Sequence, residues 1–145
     1  DTDDIKNKKI QSSLKMKLKV IFCIGETLRE KKRGFTNRVL NSQITKGMKD
    51  IKKLSNIIIA YEPVWSIGTG IIPNDLELNK NIAFIRHKLK IKYKKIKKFR
   101  ILYGGSVNTN NIEKLNKISN LSGFLIGGAS QSSKKFIDII NKSYI

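Results

Sequence analysis

Acidic residues, cysteine and histidine are scarce in this sequence, and it has no long apolar stretch. Asp and Glu total 11 against 30 Lys and Arg, which gives a formal net charge of +19 at pH 7. The single cysteine, Cys23, excludes an internal disulfide, and we expect it to be a small buried strand residue in a cytoplasmic protein. No segment reaches the roughly 18 apolar residues that a membrane-spanning helix needs, so we expect no membrane partner. The polar start, DTDDIKNKK, is unlike a signal peptide.

The excess of positive charge has two interpretations. Lysines are spread over most segments of helical character, which is typical of solvated helix faces in a sequence that is also rich in Ile and Asn. A surface that binds a polyanion is the alternative, since strongly basic chains attract nucleic acids. None of the common nucleic-acid-binding motifs is present, and we expect no nucleic-acid partner.

Four short apolar runs predict strands. They lie near residues 20–25, 56–62, 100–105 and 123–128, and each ends in glycine or in a glutamate followed by proline. Continuous apolar runs of this length are typical of strands covered on both faces, as in parallel sheets. Helical patterns precede and separate the runs, over residues 1–18, 35–54, 75–96, 108–118 and 132–145. This alternation predicts a parallel α/β sheet.

The ends of the predicted strands favour a barrel over an open sheet. In a doubly wound sheet only the strands at the switch point need functional turns, whereas every strand of a (β/α)₈ barrel ends at the active site. All four predicted strands end in turns of functional character. Because a complete barrel needs about 250 residues, we expect this chain of 145 residues to form about half of one.

Four motifs stand in order at the ends of these strands: CIGE (23–26), AYEPVWSIGTG (60–70), RILYGGSV (100–107) and GFLIGGAS (123–130). Together they resemble the triosephosphate isomerase family, over the whole chain. The resemblance implies an α/β fold, the C-terminal half of a TIM (β/α)₈ barrel with parallel strands five to eight and their helices. It also implies an isomerase of glycolysis and gluconeogenesis that interconverts dihydroxyacetone phosphate and D-glyceraldehyde 3-phosphate. Such an enzyme needs no cofactor and no metal, and it is expected to be a homodimer when complete.

Glu62 is the acidic residue that ends a predicted strand and opens a glycine-rich loop. Moving a carbonyl by one carbon requires a base that takes a proton from one carbon and returns it to the next, and one carboxylate can do both. The loop, residues 63–73, can close over a substrate and exclude water, which makes a carboxylate a better base. The resemblance implies that Glu62 is this catalytic base. A helix cap at the end of the strand is the alternative.

Small residues after the later strands are expected to bind the substrate phosphate. The resemblance assigns this role to Gly68, Ser106, Gly127 and Gly128. Barrels commonly bind phosphate after their last two strands, and glycine lets an anion approach the main chain closely. Taken singly, a Gly-Gly pair after a strand is more often only a tight turn.

Five residues are expected to support or latch the loop. The resemblance pairs Glu26 with Trp65. It also implies that Tyr103 and Ser106 latch the closed loop, with Gly70 facing the Ser106 turn. The alternative for Glu26 is a carboxylate at the start of a helix, where it would favour the helix dipole.

The sequence departs from the family pattern in two ways. The family's catalytic lysine and histidine would lie in the missing half, and His87 cannot replace that histidine because it lies in a predicted outer helix. Pro73 has no N–H, so a latch bond from Tyr103 to the amide at this position cannot form. The loop is therefore expected to close through Ser106 and Gly70.

The chain is expected to be a partial sequence, one part of a split gene or a decaying pseudogene. An isolated half barrel would leave two strand edges unpaired and the inward side chains without partners. We therefore expect the isolated chain to lack isomerase activity. Two alternatives stay open: an inactive half-barrel remnant, and a basic protein that binds polyanions.

Overall fold

The computed structural model describes residues 1–94, 96 and 99–143. Within them the chain forms, in order, α1 (Asp3–Lys15), β1 (Val20–Ile24), α2 (Leu28–Lys32), α3 (Thr36–Gly47), β2 (Ile57–Tyr61), α4 (Asp75–Lys92), β3 (Ile101–Tyr103), α5 (Ile112–Asn116), β4 (Gly123–Phe124), a 3₁₀ helix (Gly128–Gln131) and α6 (Ser133–Ser143). The predicted helices over 75–96 and 132–145 each include residues outside the described part, namely 95, 144 and 145.

The four strands form one parallel sheet in the order β1-β2-β3-β4. The register places Cys23 opposite Ala60, and Tyr61 opposite Tyr103. Each crossover between neighbouring strands runs through at least one helix, as parallel pairing requires. The predicted α/β class with parallel strands is confirmed, and the arrangement is that of part of a TIM barrel. Parallel pairing also brings the carboxyl ends of all four strands to one edge, which we call the carboxyl edge; the opposite one is the amino edge.

The two faces of the sheet differ in burial. Side chains alternate between faces along a strand, and in β2 both Ile57 and Ile59 are buried in one core with side chains of α3 and α4. On the other face Ile21 is 46% exposed, while Ile58 and Leu102 are half-buried. The second face therefore has the apolar character of a barrel interior without the strands that would close it.

The helix predicted over residues 35–54 differs most from its predicted extent, and one short helix was not predicted. The pattern predicted through residue 54 ends as a helix at Gly47, where the Phe22 ring occupies the space that a side chain would need. Asp50 then has a φ of 59°, which turns the chain away from a helical path. The short helix α2 was not predicted, although Thr27 and Glu30 form a capping box at its start.

The strands are shorter than the apolar runs that predicted them. The difference is largest in the last run, where only Gly123–Phe124 of residues 123–128 is strand. β4 is an edge strand that pairs with β3 alone, and β3 itself has three residues. In the described part of the chain, none of the helices has the length and apolar character needed to cross a membrane.

Candidate active site

Glu62 lies at the carboxyl edge, directly after β2. Its N–H donates to the Ile24 carbonyl at 2.7 Å, which continues the pairing of β1 with β2 by one residue. Glycines on both neighbouring strands leave room for it. A Cβ at Gly104 would lie 2.6 Å from Glu62 Oε1, and a Cβ at Gly25 would collide with the Glu62 carbonyl oxygen. These two glycines therefore fix where Glu62 can lie.

The Glu62 carboxylate is half-buried. Among residues 1–94, 96 and 99–143 it accepts no hydrogen bond from an N–H or O–H group and joins no ion pair, so its oxygens are available to a ligand. Its neighbour on β1 is Cys23, whose pKa is raised from 9.0 to about 12 by burial and, secondarily, by the charge of Glu62 and a hydrogen bond from the thiol to it. The thiol is consequently neutral at physiological pH. Cys23 was expected to be buried, but it is half-buried because it lies on the uncovered face of the sheet.

Glu26 is the centre of a buried hydrogen-bonded cluster. It is fully buried and accepts from Trp65 Nε1 at 2.9 Å and from the Tyr61 hydroxyl at 3.1 Å. Asn81 Nδ2 donates to the same hydroxyl at 2.8 Å. Burial, reinforced by the Glu26 charge, raises the pKa of Tyr61 far above its usual range. The structure thus brings together the pair Glu26 and Trp65, and it adds two partners that the sequence did not suggest.

The outer face of the Trp65 ring is covered by a cation. Lys31 Nζ lies 3.7 Å from the ring centroid, a cation–π distance. Glu77, near the start of α4, holds the same ammonium group at 2.8 Å. Trp65 is therefore fixed at its indole nitrogen by Glu26 and over its ring by Lys31, which anchors the first part of the loop.

The second part of the loop is held by hydroxyl groups. The Ser66 hydroxyl lies 2.6 Å from the Ile71 carbonyl and 2.9 Å from the Tyr103 hydroxyl. The Ser106 N–H donates to Ser66 Oγ at 3.2 Å, and the Gly70 N–H donates to Ser106 Oγ at 3.1 Å. The loop is therefore tied to the turn after β3 through Gly70 and Ser106, and Tyr103 contacts the loop at Ser66.

The four expected phosphate-binding residues lie in turns of the carboxyl edge. Gly68 is exposed with a φ of 70°, a conformation that favours glycine. Gly127 follows β4 and Gly128 begins the 3₁₀ helix after it, next to the turn after β3 that carries Ser106. Within the described part of the chain, the N–H groups of these three glycines have no acceptor. The Ser106 N–H does have one, Ser66 Oγ, so Ser106 would meet an anion through its hydroxyl proton.

His87 lies apart from these residues. It is exposed on α4, the outer helix on which the sequence placed it. In the described ranges, no three side chains of His, Cys, Asp or Glu come together in a way that could hold a metal ion.

Sequence comparison identifies the family. The family model described as triosephosphate isomerase matches residues 1–143.

This chain belongs to the triosephosphate isomerase family.

Triosephosphate isomerases of several organisms are similar to it. The protein of Thermodesulfovibrio yellowstonii is 44% identical over 141 residues, which cover 97% of this chain and 57% of that protein. The protein of Leptospira biflexa is 42% identical over 146 residues, covering 97% and 59%. That of Chloroherpeton thalassium is 40% identical over 147 residues, covering 99% and 58%. The chain thus spans a little over half the length of the curated relatives that it matches.

Several contacts in this chain carried little or no signal in the sequence. Gln43 of α3 forms two hydrogen bonds with the main chain of Gly25. Its side-chain amide accepts from the Gly25 N–H at 2.9 Å and donates to the Gly25 carbonyl at 3.0 Å. Asn111 Nδ2 donates to the Ser106 carbonyl at 2.8 Å. Ser66 carried no recognisable signal, since a serine in a polar loop is ordinary. Gly104 did carry one, as the first glycine of the YGGS turn.

Proposed function

We propose that the protein to which this chain belongs is a triosephosphate isomerase, in which the chain forms the C-terminal half of the barrel and Glu62 is the catalytic base. One observation carries the proposal. A half-buried carboxylate, with no N–H or O–H donor bound to it among the described residues, lies at the carboxyl edge between two glycines, directly before a glycine-rich loop. The printed names of the relatives support the same reaction.

In this mechanism Glu62 takes a proton from C1 of dihydroxyacetone phosphate and returns it to C2, which gives D-glyceraldehyde 3-phosphate. An enediolate forms between the two steps. A proton must also move between the two oxygens, and the resemblance assigns that part to a lysine and a histidine outside this chain. Cys23 stays neutral beside Glu62, so it adds no second negative charge that would repel the enediolate.

The phosphate of the substrate is bound in turns of the carboxyl edge. The N–H groups of Gly68, Gly127 and Gly128 donate to it, together with the Ser106 hydroxyl. Uncharged donors of this kind hold an anion without neutralising Glu62 nearby. The loop supports the closed state: Glu26 anchors it through Trp65, and Gly70 and Tyr103 attach it to the turn after β3.

The uncovered face of the sheet takes the other strands of the barrel. Ile21, Ile58 and Leu102 present apolar side chains there, and burying them against further strands is favourable. Family membership also supports a homodimer of the complete protein in the cytoplasm, acting on a triose phosphate without a cofactor or metal ion.

Replacing Glu62 with Gln in the full-length protein tests the proposal. The amide keeps the size of the side chain but cannot accept the proton, so kcat should fall by about 10² to 10⁴. Binding of phosphoglycolate, a phosphate-bearing analogue, should change little because the phosphate donors are intact. Glu113→Gln, at an exposed position on α5, is the matched control and should leave kcat unchanged. A fully active Glu62→Gln variant would exclude Glu62 as the base.

A second candidate function, polyanion binding, is favoured by the amino edge. A cavity of about 940 Å³ there is bordered by five cationic side chains and, in the part of the chain that the structure describes, by no acidic one: Lys19, Lys52, Lys53, Arg86 and Arg100. Such a site should bind single-stranded or duplex DNA with an affinity that falls steeply as salt rises. Weak, unselective binding that vanishes near physiological salt would instead support the composition interpretation of the charge.

A third alternative is that the isolated chain is an inert remnant. We expect the purified chain of 145 residues to show no measurable isomerase activity. Losing one preorganised donor commonly costs about 10² to 10³ in rate, and here the lysine and the histidine are both missing. Activity restored by adding the missing half as a separate polypeptide would exclude the remnant, whereas a robustly active isolated chain would contradict the need for those donors.

A further inference from the structure

The hydroxyl of Ser66 has all of its hydrogen-bonding capacity in use. A serine hydroxyl donates one proton and can accept two. The Ile71 carbonyl can only accept, so it takes the Ser66 proton at 2.6 Å. The Tyr103 hydroxyl must then be a donor to Ser66 Oγ at 2.9 Å, and the Ser106 N–H is the second donor, at 3.2 Å. We call these four residues the Ser66 junction.

The centre of the junction is buried and closely packed. Ser66 and Tyr103 are both fully buried, whereas Ile71 is exposed and Ser106 is half-buried. Gly105 lies directly against Ser66 and Tyr103: a Cβ at this position would lie 2.6 Å from Ser66 Oγ and would collide with the Tyr103 hydroxyl. A buried polar group without a partner is costly, so the Tyr103 hydroxyl depends on Ser66 Oγ for its hydrogen bond.

The junction also replaces a hydrogen bond that Pro73 cannot form. The amide at this position carries no N–H, so the far end of the loop offers Tyr103 no main-chain donor there. Pro73 is itself buried, next to Asn74, which caps α4. Ser66, on the near side of the loop, accepts the hydrogen bond of the Tyr103 hydroxyl. It also donates to the Ile71 carbonyl and so fixes the far side of the loop.

We infer that Ser66 is the positioning residue of the loop, whose hydroxyl sets the loop against the turn after β3 and aims the Ser106 hydroxyl at the phosphate site. Because the Ser106 N–H is held by Ser66 and the Ser106 carbonyl by Asn111, the peptide planes on both sides of Ser106 are fixed. Its Oγ accepts from Gly70, and the hydroxyl proton is left for an anion. The inference rests on the proposed function for its consequence in catalysis, but not for the hydrogen bonds themselves.

The test is Ser66→Ala in the full-length protein, with amide hydrogen exchange as its first measurement. Removing the hydroxyl leaves the Ser106 N–H and the Tyr103 hydroxyl without an acceptor. We expect the Ser106 amide to exchange about 10-fold faster or more because it loses its acceptor. The exposed Gly70 amide should exchange faster by a smaller factor, because its acceptor, Ser106 Oγ, is less well positioned. Phosphoglycolate should bind about 10-fold more weakly or worse, and KM should rise more than kcat falls.

Thr69→Ala is the matched control. It removes a hydroxyl from the same loop, but Thr69 bonds only to the loop's own main chain, at Trp65, Ser66 and Ile71. It should leave the exchange of the Ser106 amide unchanged. Equal exchange at Ser106 in Ser66→Ala and in the unsubstituted protein would overturn the inference, as would equal acceleration in both variants.

Two further variants keep the test decisive. If Ser66→Ala does not fold, Tyr103→Phe removes one partner of the junction while keeping the ring, and faster exchange of the Ser106 amide is again the supporting result. Pro73→Ala restores an N–H at the far end of the loop. Added to Ser66→Ala, it should partly restore the affinity for phosphoglycolate. If the affinity is not restored, Ser66 does not compensate for the N–H that Pro73 lacks. Hydrogen exchange reports on the junction even in an inactive protein, so failure of the isomerase proposal and failure of this one are distinguishable.

Discussion

The two edges of the sheet are built in opposite ways. At the carboxyl edge, glycines crowd around Glu62, and side-chain hydrogen bonds link the turn after one strand to the next. At the amino edge, a wide cavity is bordered by five cations, none of which forms an ion pair with a described residue. Around Glu62 and Ser66, the first edge allows almost no change of side-chain volume or hydrogen bonding. The amino edge is lined by apolar side chains, and its cationic side chains border the cavity.

This difference predicts where substitutions matter. A group that is buried and saturated with hydrogen bonds cannot be altered without leaving a partner unpaired. An exposed cation contributes little to stability, because solvent screens it. Equivalent substitutions at the two edges should therefore differ greatly in their effects on activity and stability.

The largest effect is expected from Gly104→Ala. The added Cβ would lie 2.6 Å from Glu62 Oε1, so the carboxylate must move, and a displacement of about 1 Å at a catalytic group can cost about 10² in rate. We expect kcat/KM of the full-length protein to fall by about 10² or more. Ser55→Ala, on the rim of the amino-edge cavity, is the counterpart and should keep full activity. An active Gly104→Ala variant would mean that the position of Glu62 is not restricted in this way.

Much of the carboxyl edge was predictable from the sequence, and the reason is physical. Glu62 follows an apolar run and precedes Pro63 and a glycine-rich loop, a local pattern that needs no knowledge of distant contacts. The α/β class followed from the alternation of apolar runs with helical patterns in the same way. Strand limits were less accurate because pairing depends on the neighbouring strand: β4 has two residues although its apolar run has six.

Only some of the hydrogen bonds between segments distant in sequence were predictable. The resemblance implied that Glu26 pairs with Trp65 and that Gly70 faces Ser106, and both hydrogen bonds form. Those made by Ser66 and Gln43 were not predictable. Ser66 and Ser106 meet across 40 positions, as do Gln43 and Gly25 across 18. Nothing in the local sequence of Ser66 distinguishes it from a solvated loop residue, whereas Ser106 was expected to bind phosphate and to latch the loop. Asn111 is a nearer case: its side chain holds the Ser106 carbonyl, five positions before it, because the turn after β3 brings that acceptor within reach.

A moderate effect is expected from Glu26→Gln. The buried carboxylate accepts from both Trp65 and Tyr61, whereas an amide presents a donor on one side, so one of these partners is left without its acceptor. We expect the free energy of unfolding, measured by urea titration, to fall by about 1 to 3 kcal/mol. The Trp65 side chain, the only tryptophan of this chain, should become more accessible to quenchers, so that its fluorescence is quenched more strongly. Glu113→Gln should change neither quantity. If stability and quenching are both unchanged in Glu26→Gln, Glu26 does not anchor the loop.

A smaller effect should appear as a dependence of stability on alkaline pH. Burial raises the pKa of Cys23 from 9.0 to about 12 and that of Tyr103 from 10.0 to about 12. Above the ordinary values the unfolded chain loses these protons while the folded chain keeps them, so unfolding becomes more favourable. The stability is therefore fully present below about pH 9 and declines as the pH rises toward about 12.

The urea midpoint of the full-length protein at a series of alkaline pH values measures this decline. Cys23→Ala removes one of the titrating groups and should make the decline shallower than in the unsubstituted protein. Identical slopes in the two proteins would show that the thiol titrates normally in the folded state, and hence that it is not shielded beside Glu62.

The smallest effect is expected at the amino edge. The paired substitution Lys52→Gln and Lys53→Gln removes two exposed cations from the cavity rim without touching the carboxyl edge, so kcat/KM and the urea midpoint should stay nearly unchanged. The salt dependence of any DNA binding should weaken, by about one unit of slope for each phosphate that is no longer neutralised. Lys134→Gln with Lys135→Gln, on α6, is the control with the same change in charge. If the two pairs weaken DNA binding equally, the binding follows net charge alone and the cavity has no role. If the Lys52 and Lys53 pair lowers kcat/KM about tenfold, far more than screened surface charges should, the contrast between the two edges fails.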